Sequence, residues 1–192
     1  MPLLPHSNSS VPAVRLATFD SSNVLSETSS SYPLPVIDLA QLRTHEGRMF
    51  TAGRLWDNGS KIASGAFADI AFTTSSTVGP HSILDVQVGG DAEVYFYEDA
   101  VISGGTAVTP VNRNRRSART SSATVVHTPT ITSAGTLLES AFAPGGTGHK
   151  AGGGGGGFTG EFVTQFSKVY LVRVKNVSGS AQIVQANIWL YE

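Results

Sequence analysis

The chain has no cysteine, few charges and no long apolar run. With no cysteine in 192 residues, disulfides, thiolate metal sites and cysteine nucleophiles are excluded. Charged residues make up 14%, well under the usual share of about a quarter. The formal net charge is -1, so no overall field draws the chain toward nucleic acid or an anionic membrane. Nothing approaches the run of about 18 apolar residues that a membrane helix needs. The start, Met1-Pro2-Leu3-Leu4-Pro5-His6, lacks both the basic first region and the continuous apolar stretch of a signal peptide. The expectation is a soluble product of the cytoplasm with no export route and no membrane partner.

Serine, threonine and glycine take the place of the missing charge, a composition that suits short strands and turns better than helices. Residues 1–42 stand apart. Serines crowd this stretch among Pro2, Pro5, Pro12, Pro33 and Pro35, and the apolar residues form small clusters, Val14 with Leu16 and Val36-Ile37. Such a segment buries too little surface by itself to offset its ordering entropy. It is expected to be an extended N-terminal arm that docks on its own domain or on a neighbour, with Val14, Leu16, Val36 and Ile37 as partner-binding residues.

Residues 43–192 alternate between strand and turn signals. Arg48 to Ala52 is a short candidate strand, followed by the turn pair Asn58-Gly59. Gly65 to Thr74 carries Phe67, Ile70 and Phe72, less cleanly spaced. Leu84, Val86 and Val88 share one face while Asp85 and Gln87 look the other way. Gly89-Gly90-Asp91 then predicts a hairpin into Glu93 to Glu98. Ala123 to His127 and Thr136 to Phe142 are further strands. Tyr170, Val172 and Val174 line one face of Lys168 to Lys175, and Val184, Ala186, Ile188 and Leu190 line one face of the last strand. Roughly eight strands, frequent turns and no amphipathic helix predict an all-β fold, an antiparallel β-sandwich or jelly roll with an extended N-terminal arm.

Catalytic and metal chemistry find little support. His6, His45, His81, His127 and His149 show no ligand spacing, and His45-Glu46 lacks the second histidine of a zinc helix. Ile102-Ser103-Gly104-Gly105 is not a nucleophile elbow. Asp91, Glu93, Glu98 and Asp99 bracket one strand as solvated strand ends would. The run Gly152 to Gly157 has its lysine, Lys150, on the wrong side for a phosphate loop. It reads as a surface loop or a place where another backbone comes close. No cofactor and no enzymatic activity are expected. Arg113, Arg115, Arg116 and Arg119 form the one charge cluster, four guanidinium groups in seven positions. It lacks aromatics and sits in a slightly acidic chain, so nucleic acid is not the expected partner. Carboxylates, within the subunit or across a subunit boundary, suit the planar fork better.

Taken together, several motifs resemble a recurrent group of tailed-phage virion structural proteins. They are His45-Glu46-Gly47, Ser103-Gly104-Gly105-Thr106 leading into Thr109-Pro110-Val111-Asn112-Arg113-Asn114-Arg115, the stretch Ser121 to Thr136, Gly148-His149-Lys150, Tyr170 to Val174 and Tyr191-Glu192. The resemblance covers residues 43 to 192 and leaves the arm out. It implies a structural role on the bacteriophage virion, most of all a capsid decoration (cement) protein on the head surface, synthesised in the host cytoplasm. The partners so implied are the major capsid protein and two further copies in a homotrimer. The alternatives are a neck or tail adaptor or fibre-attachment subunit, and a module that binds host glycan through Tyr95, Tyr97 and Trp189.

Overall fold

The computed structural model describes residues 17–19, 25–27, 39–145 and 160–192. The chain divides into two compact units, Met1–Asp38 and Leu39–Glu192. In the first, β1 (Ala17–Phe19) and β2 (Leu25–Glu27) pair antiparallel. Val14, Leu16, Val36, Ile37 and the glycine run lie outside the described residues.

The second unit opens with a helix, α1 (Leu39–His45), where no helix was expected. It is seven residues long and ends in a Schellman motif, with Arg48 N donating to Arg43 O at 2.9 Å and Gly47 N to Thr44 O at 3.0 Å. Gly47 takes φ 68° there, a conformation that costs glycine nothing.

Thirteen strands follow. They are β3 (Met49–Trp56), β4 (Phe67–Thr73), β5 (His81–Val88), β6 (Ala92–Glu98), β7 (Val101–Ser103), β8 (Thr106–Val108), β9 (Val111–Asn112), β10 (Thr124–His127), β11 (Thr130–Ser133), β12 (Thr136–Ala143), β13 (Phe162–Val163), β14 (Val169–Asn176) and β15 (Val184–Tyr191). One sheet has the order β13-β5-β15-β3-β9, the other β12-β6-β14-β4-β10-β8, and all pairings are antiparallel. The chain changes sheet at every step from β3 to β6 and again from β12 to β15. That is jelly-roll connectivity, two four-stranded layers with β9 and β10–β8 added along one side.

This crossing pattern corrects one expectation. Gly89-Gly90-Asp91 does not make a hairpin, because β5 and β6 belong to different sheets. The turn signal was right, but it carries the chain over the end of the sandwich rather than back along the same sheet.

The inner faces meet in one core. Phe50, Leu84, Val86, Ile188 and Leu190 from one sheet pack against Ile70, Phe72, Val94, Phe96, Tyr170 and Val172 from the other. Phe72 stacks on Tyr170 with ring centres 5.0 Å apart, and Phe162 of β13 meets the Phe96 ring at 4.8 Å. Burial and the Glu98 carboxylate that accepts from its hydroxyl raise the Tyr170 phenol far above its ordinary value.

A ribbon of β7 and β11 lies over the outer face of the second sheet, where Ala71 and Leu171 are buried beneath Ile102 and Ile131. Ile70-Ala71-Phe72 and Tyr170-Leu171-Val172 are therefore buried on both faces. This explains why the alternation of β4 looked irregular in the sequence.

In β15, Val184, Ala186, Ile188 and Leu190 face inward, as their spacing predicts. Ile188→Ala is expected to destabilise the domain by about 2–5 kcal/mol. Gln185→Ala should stay within about 0.5 kcal/mol. Urea unfolding of the two variants checks this, and equal effects would put the last strand in the other register.

Candidate functional site

The arginine cluster sits on the loop that leaves β9 and returns as β10, and two asparagines fix its shape. Asn112 is buried, and its side chain reaches both ways along the chain. Its Nδ2 donates to Gly47 O at 2.9 Å and to Arg119 O at 3.1 Å. Its Oδ1 accepts from Asn114 N at 2.9 Å. Asn114 repeats the device one step on, donating to His45 O at 2.8 Å and accepting from Arg116 N at 3.1 Å. These are Asx turns, in which a short amide side chain stands in for a backbone turn. Ser117 N donates to Asn114 O, and Arg119 N to Ser117 Oγ.

The loop is thereby held against the cap of α1. A Cβ added at Gly47 would stand 2.3 Å from Ser117 Oγ, so only glycine lets the two segments approach. The far end of the loop is held by Glu192. Its carboxylate accepts from Ser121 Oγ at 2.6 Å and from Ser122 N at 3.0 Å, while Glu192 N donates to Arg48 O at 2.9 Å. A cleft of ≈ 340 Å³ remains between cap and loop, lined by Gly47, Arg48, Phe50, Val78, Arg119 and Glu192. Residues 45–48, 112–119, 121–122 and 192, scattered in sequence, thus form one structure.

All four arginines are exposed. Arg113 is held by its backbone, donating to Met49 O at 2.8 Å, and its guanidinium lies 4.8 Å from the centre of the Trp189 ring. Among the described residues no carboxylate lies within ion-pair distance of Arg113, Arg115, Arg116 or Arg119. The expectation of a carboxylate within the subunit is not met there. The other cations nearby do have one: Arg43 lies 3.2 Å and Arg48 3.7 Å from Glu46.

No family model, no curated protein and no solved structure matches the chain.

The other candidate groups do not converge. Tyr95 and Tyr97 stand on the outer face of the second sheet, 6.2 Å apart. Trp189 lies on the outer face of the first, in register with Thr51 and Ile83. Each carboxylate of the β6 region has its own structural contact. Asp91 accepts from Gly145 N at 2.7 Å, Glu93 from the Tyr95 hydroxyl at 2.7 Å, Glu98 from Tyr170, and Asp99 from Lys168 at 2.7 Å.

Hydrogen bonding from Tyr95 holds the Glu93 carboxyl below its ordinary value, and Asp99 holds the Lys168 ammonium above its own. Asp69 pairs with Arg173 at 2.8 Å, yet burial outweighs the pair and raises its carboxyl. His81 contacts Glu161, and His127 packs edge-on to Trp56. No group of three or more metal-binding side chains forms among the described residues. His6 and His149 lie outside them.

The sequence pointed to the arginines and not to what holds them. Asn112, Asn114 and Glu192 were visible only as motif residues, and the Asn-x-Asn spacing is the signal that marks an Asx turn. Asn112→Ala should destabilise the domain by about 1–3 kcal/mol, because the buried Gly47 carbonyl and two half-buried backbone groups, Arg119 O and Asn114 N, lose their hydrogen bonds. It should also speed amide exchange across residues 113–119 while leaving the core strands slow. Hydrogen-exchange mass spectrometry checks this.

Proposed function

We propose that the chain is a non-enzymatic virion structural protein of a tailed phage, and specifically a capsid decoration protein that binds and stabilises the head lattice. The observation that carries this reading is the latched loop. Four exposed arginines, none paired to a described carboxylate, are held in fixed positions on a rigid jelly roll. Ordering long side chains and loops at an interface opposes binding, so a loop whose backbone is already fixed starts with less entropy to lose. Guanidinium forks favour carboxylates presented by a protein surface. Some of the motifs that resemble tailed-phage virion proteins, those with His45, Gly47, Asn112 to Arg115, Ser121 and Glu192, supply parts of this loop and its anchors, which supports the same reading.

Glu46 and Glu192 lie within the same patch. They dilute its positive potential and favour a protein partner over a nucleic-acid backbone. The major capsid protein is the partner in this reading, the subunit acts as a homotrimer on the head surface, and residues 1–42 add a second attachment. Many modest contacts across a repeating lattice then sum through multivalency.

A neck or tail position is the second reading, and copy number separates the two. Quantitative mass spectrometry of purified particles should count hundreds of copies per head, whereas a dozen or fewer would move the protein to the neck. The separation of Tyr95 and Tyr97 from Trp189 on opposite sheets speaks against a shared glycan platform.

Arg115→Glu combined with Arg116→Glu should weaken binding to particles stripped of the protein by on the order of tenfold to a thousandfold. The far-UV spectrum and melting should not change. Wild-type binding should itself weaken as salt is raised. Equal retention of the variant in a co-sedimentation assay would count against the loop as the docking element.

A further inference from the structure

The outer faces of the two sheets are finished differently. On the second, the β7–β11 ribbon covers Ala71 and Leu171, while Asp69 pairs with Arg173 and Glu93 with Lys175. On the first, one row of side chains crosses four strands in register: Val111 of β9, Thr51 of β3, Trp189 of β15 and Ile83 of β5. Their sequence neighbours Phe50, Ala52, Ile188, Leu190 and Leu84 fill the core, so this row faces outward. Val163 of β13, opposite His81, extends the same face by one strand. Val111 is 44% exposed and Val163 71%, while Thr51, Trp189 and Ile83 are half-buried.

The row is a flat strip with two margins. On one side Asn187 donates to Asp85 at 3.3 Å, and its Oδ1 lies so close over Gly53 that a Cβ there would clash. On the other side the buried Met49 accepts from Thr44 Oγ1 of α1 at 3.0 Å.

At its β9 end the strip runs into the arginine loop. Val111 directly precedes Asn112, which latches that loop. Arg113 turns back over the strip, its guanidinium 4.8 Å from the centre of the Trp189 ring and its Nη1 3.7 Å from Met49 Sδ. A guanidinium laid against a ring keeps its in-plane N–H groups for an acceptor, and a carboxylate matches that fork. Among the described residues no carboxylate reaches Arg113.

We propose that the strip and the arginine loop form one docking surface, fitted to a protein partner that presents an apolar side chain flanked by carboxylates. The apolar side chain seats on Trp189, Thr51 and Val111, and a carboxylate meets the Arg113 fork. The inference deepens the reading of the loop as the element that binds the capsid, and rests on it. Tryptophan and arginine are enriched among the residues that carry most of the binding energy at protein interfaces, near dry centres with polar rims. One cation over the strip, with Asp85 at its margin, is too little positive charge for a phosphate backbone. The strip is the apolar centre and the arginines are its charged rim.

Co-sedimentation with particles stripped of the protein tests this. Trp189→Ala should weaken binding about thirtyfold or more, and Val111→Gln about threefold to tenfold. Neither change alters charge, so the remaining binding should keep the salt dependence of the wild type, whereas Arg115→Glu with Arg116→Glu should flatten it. Phe142→Gln removes an exposed ring from the outer face of the other sheet and should bind as the wild type does. Far-UV spectra and melting should not change in Val111→Gln or Phe142→Gln. An equal loss of binding in Phe142→Gln would overturn the proposal.

If Trp189→Ala does not fold, oxidative footprinting of the wild-type chain decides. Hydroxyl radicals should modify Trp189 in the free protein and much less on particles, with the buried Trp56 as an unchanged reference. Equal oxidation of Trp189 in both states overturns the proposal. Wild-type affinity in the Trp189 and Val111 variants sinks this inference and leaves the decoration reading standing. A wild-type chain that does not bind the particles sinks both.

Discussion

The contact between the two sheets is the constraint that everything else obeys. Each strand presents every second side chain to one shared core, so the chain must cross from layer to layer with its register kept. The rings of Phe72, Tyr170 and Phe96 stack within one sheet, and Phe162 reaches them from the other. Each aromatic pair is worth about 0.5–1.5 kcal/mol beyond its buried area. Their larger effect is geometric, since they fix the separation and offset of the layers. The ends of the strands, and the loops that hang on them, inherit that precision.

The arginine loop shows how such a scaffold lends rigidity to an irregular segment. Its backbone makes few bonds of its own. It borrows order from the cap of α1 through Asn112 and Asn114, and from the last residue of the chain through Ser121 and Ser122. Gly47 is the hinge of this arrangement, serving the helix cap and the close approach of Ser117 at once. The arginines therefore stand on fixed points while their side chains face outward. The loop continues from β9 at one end of the first sheet, and the open edge of β13 lies at the other.

Much of the fold was legible because its main strands are long and one-faced. β5 and β15 show this best, with their inward residues spaced by two. β4 was harder to read, since Ala71 is buried on the side that a half-buried strand would leave wet. The short strands β7, β8, β9, β11 and β13 escaped notice. With two to four residues each, they carry no period and exist only through pairing with distant partners. The turn at Gly89-Gly90-Asp91 was visible, but a turn signal does not say to which sheet the chain goes next. The site divides in the same way. Four arginines in seven positions are a local pattern, whereas Asn112 finds Gly47 and Ser121 finds Glu192 across 65 and 71 positions of sequence, and no window of local pattern spans such distances.

The proposed decoration role turns on what faces Arg115 and Arg116 if the chain sits on a phage particle. A cryo-electron microscopy reconstruction of the phage particle at side-chain resolution would observe it directly. The expected result is guanidinium groups within about 3 Å of carboxylates on another protein chain, with the loop backbone unchanged by the contact. A particle in which this loop faces open solvent while a different surface of the jelly roll holds the shell would contradict it.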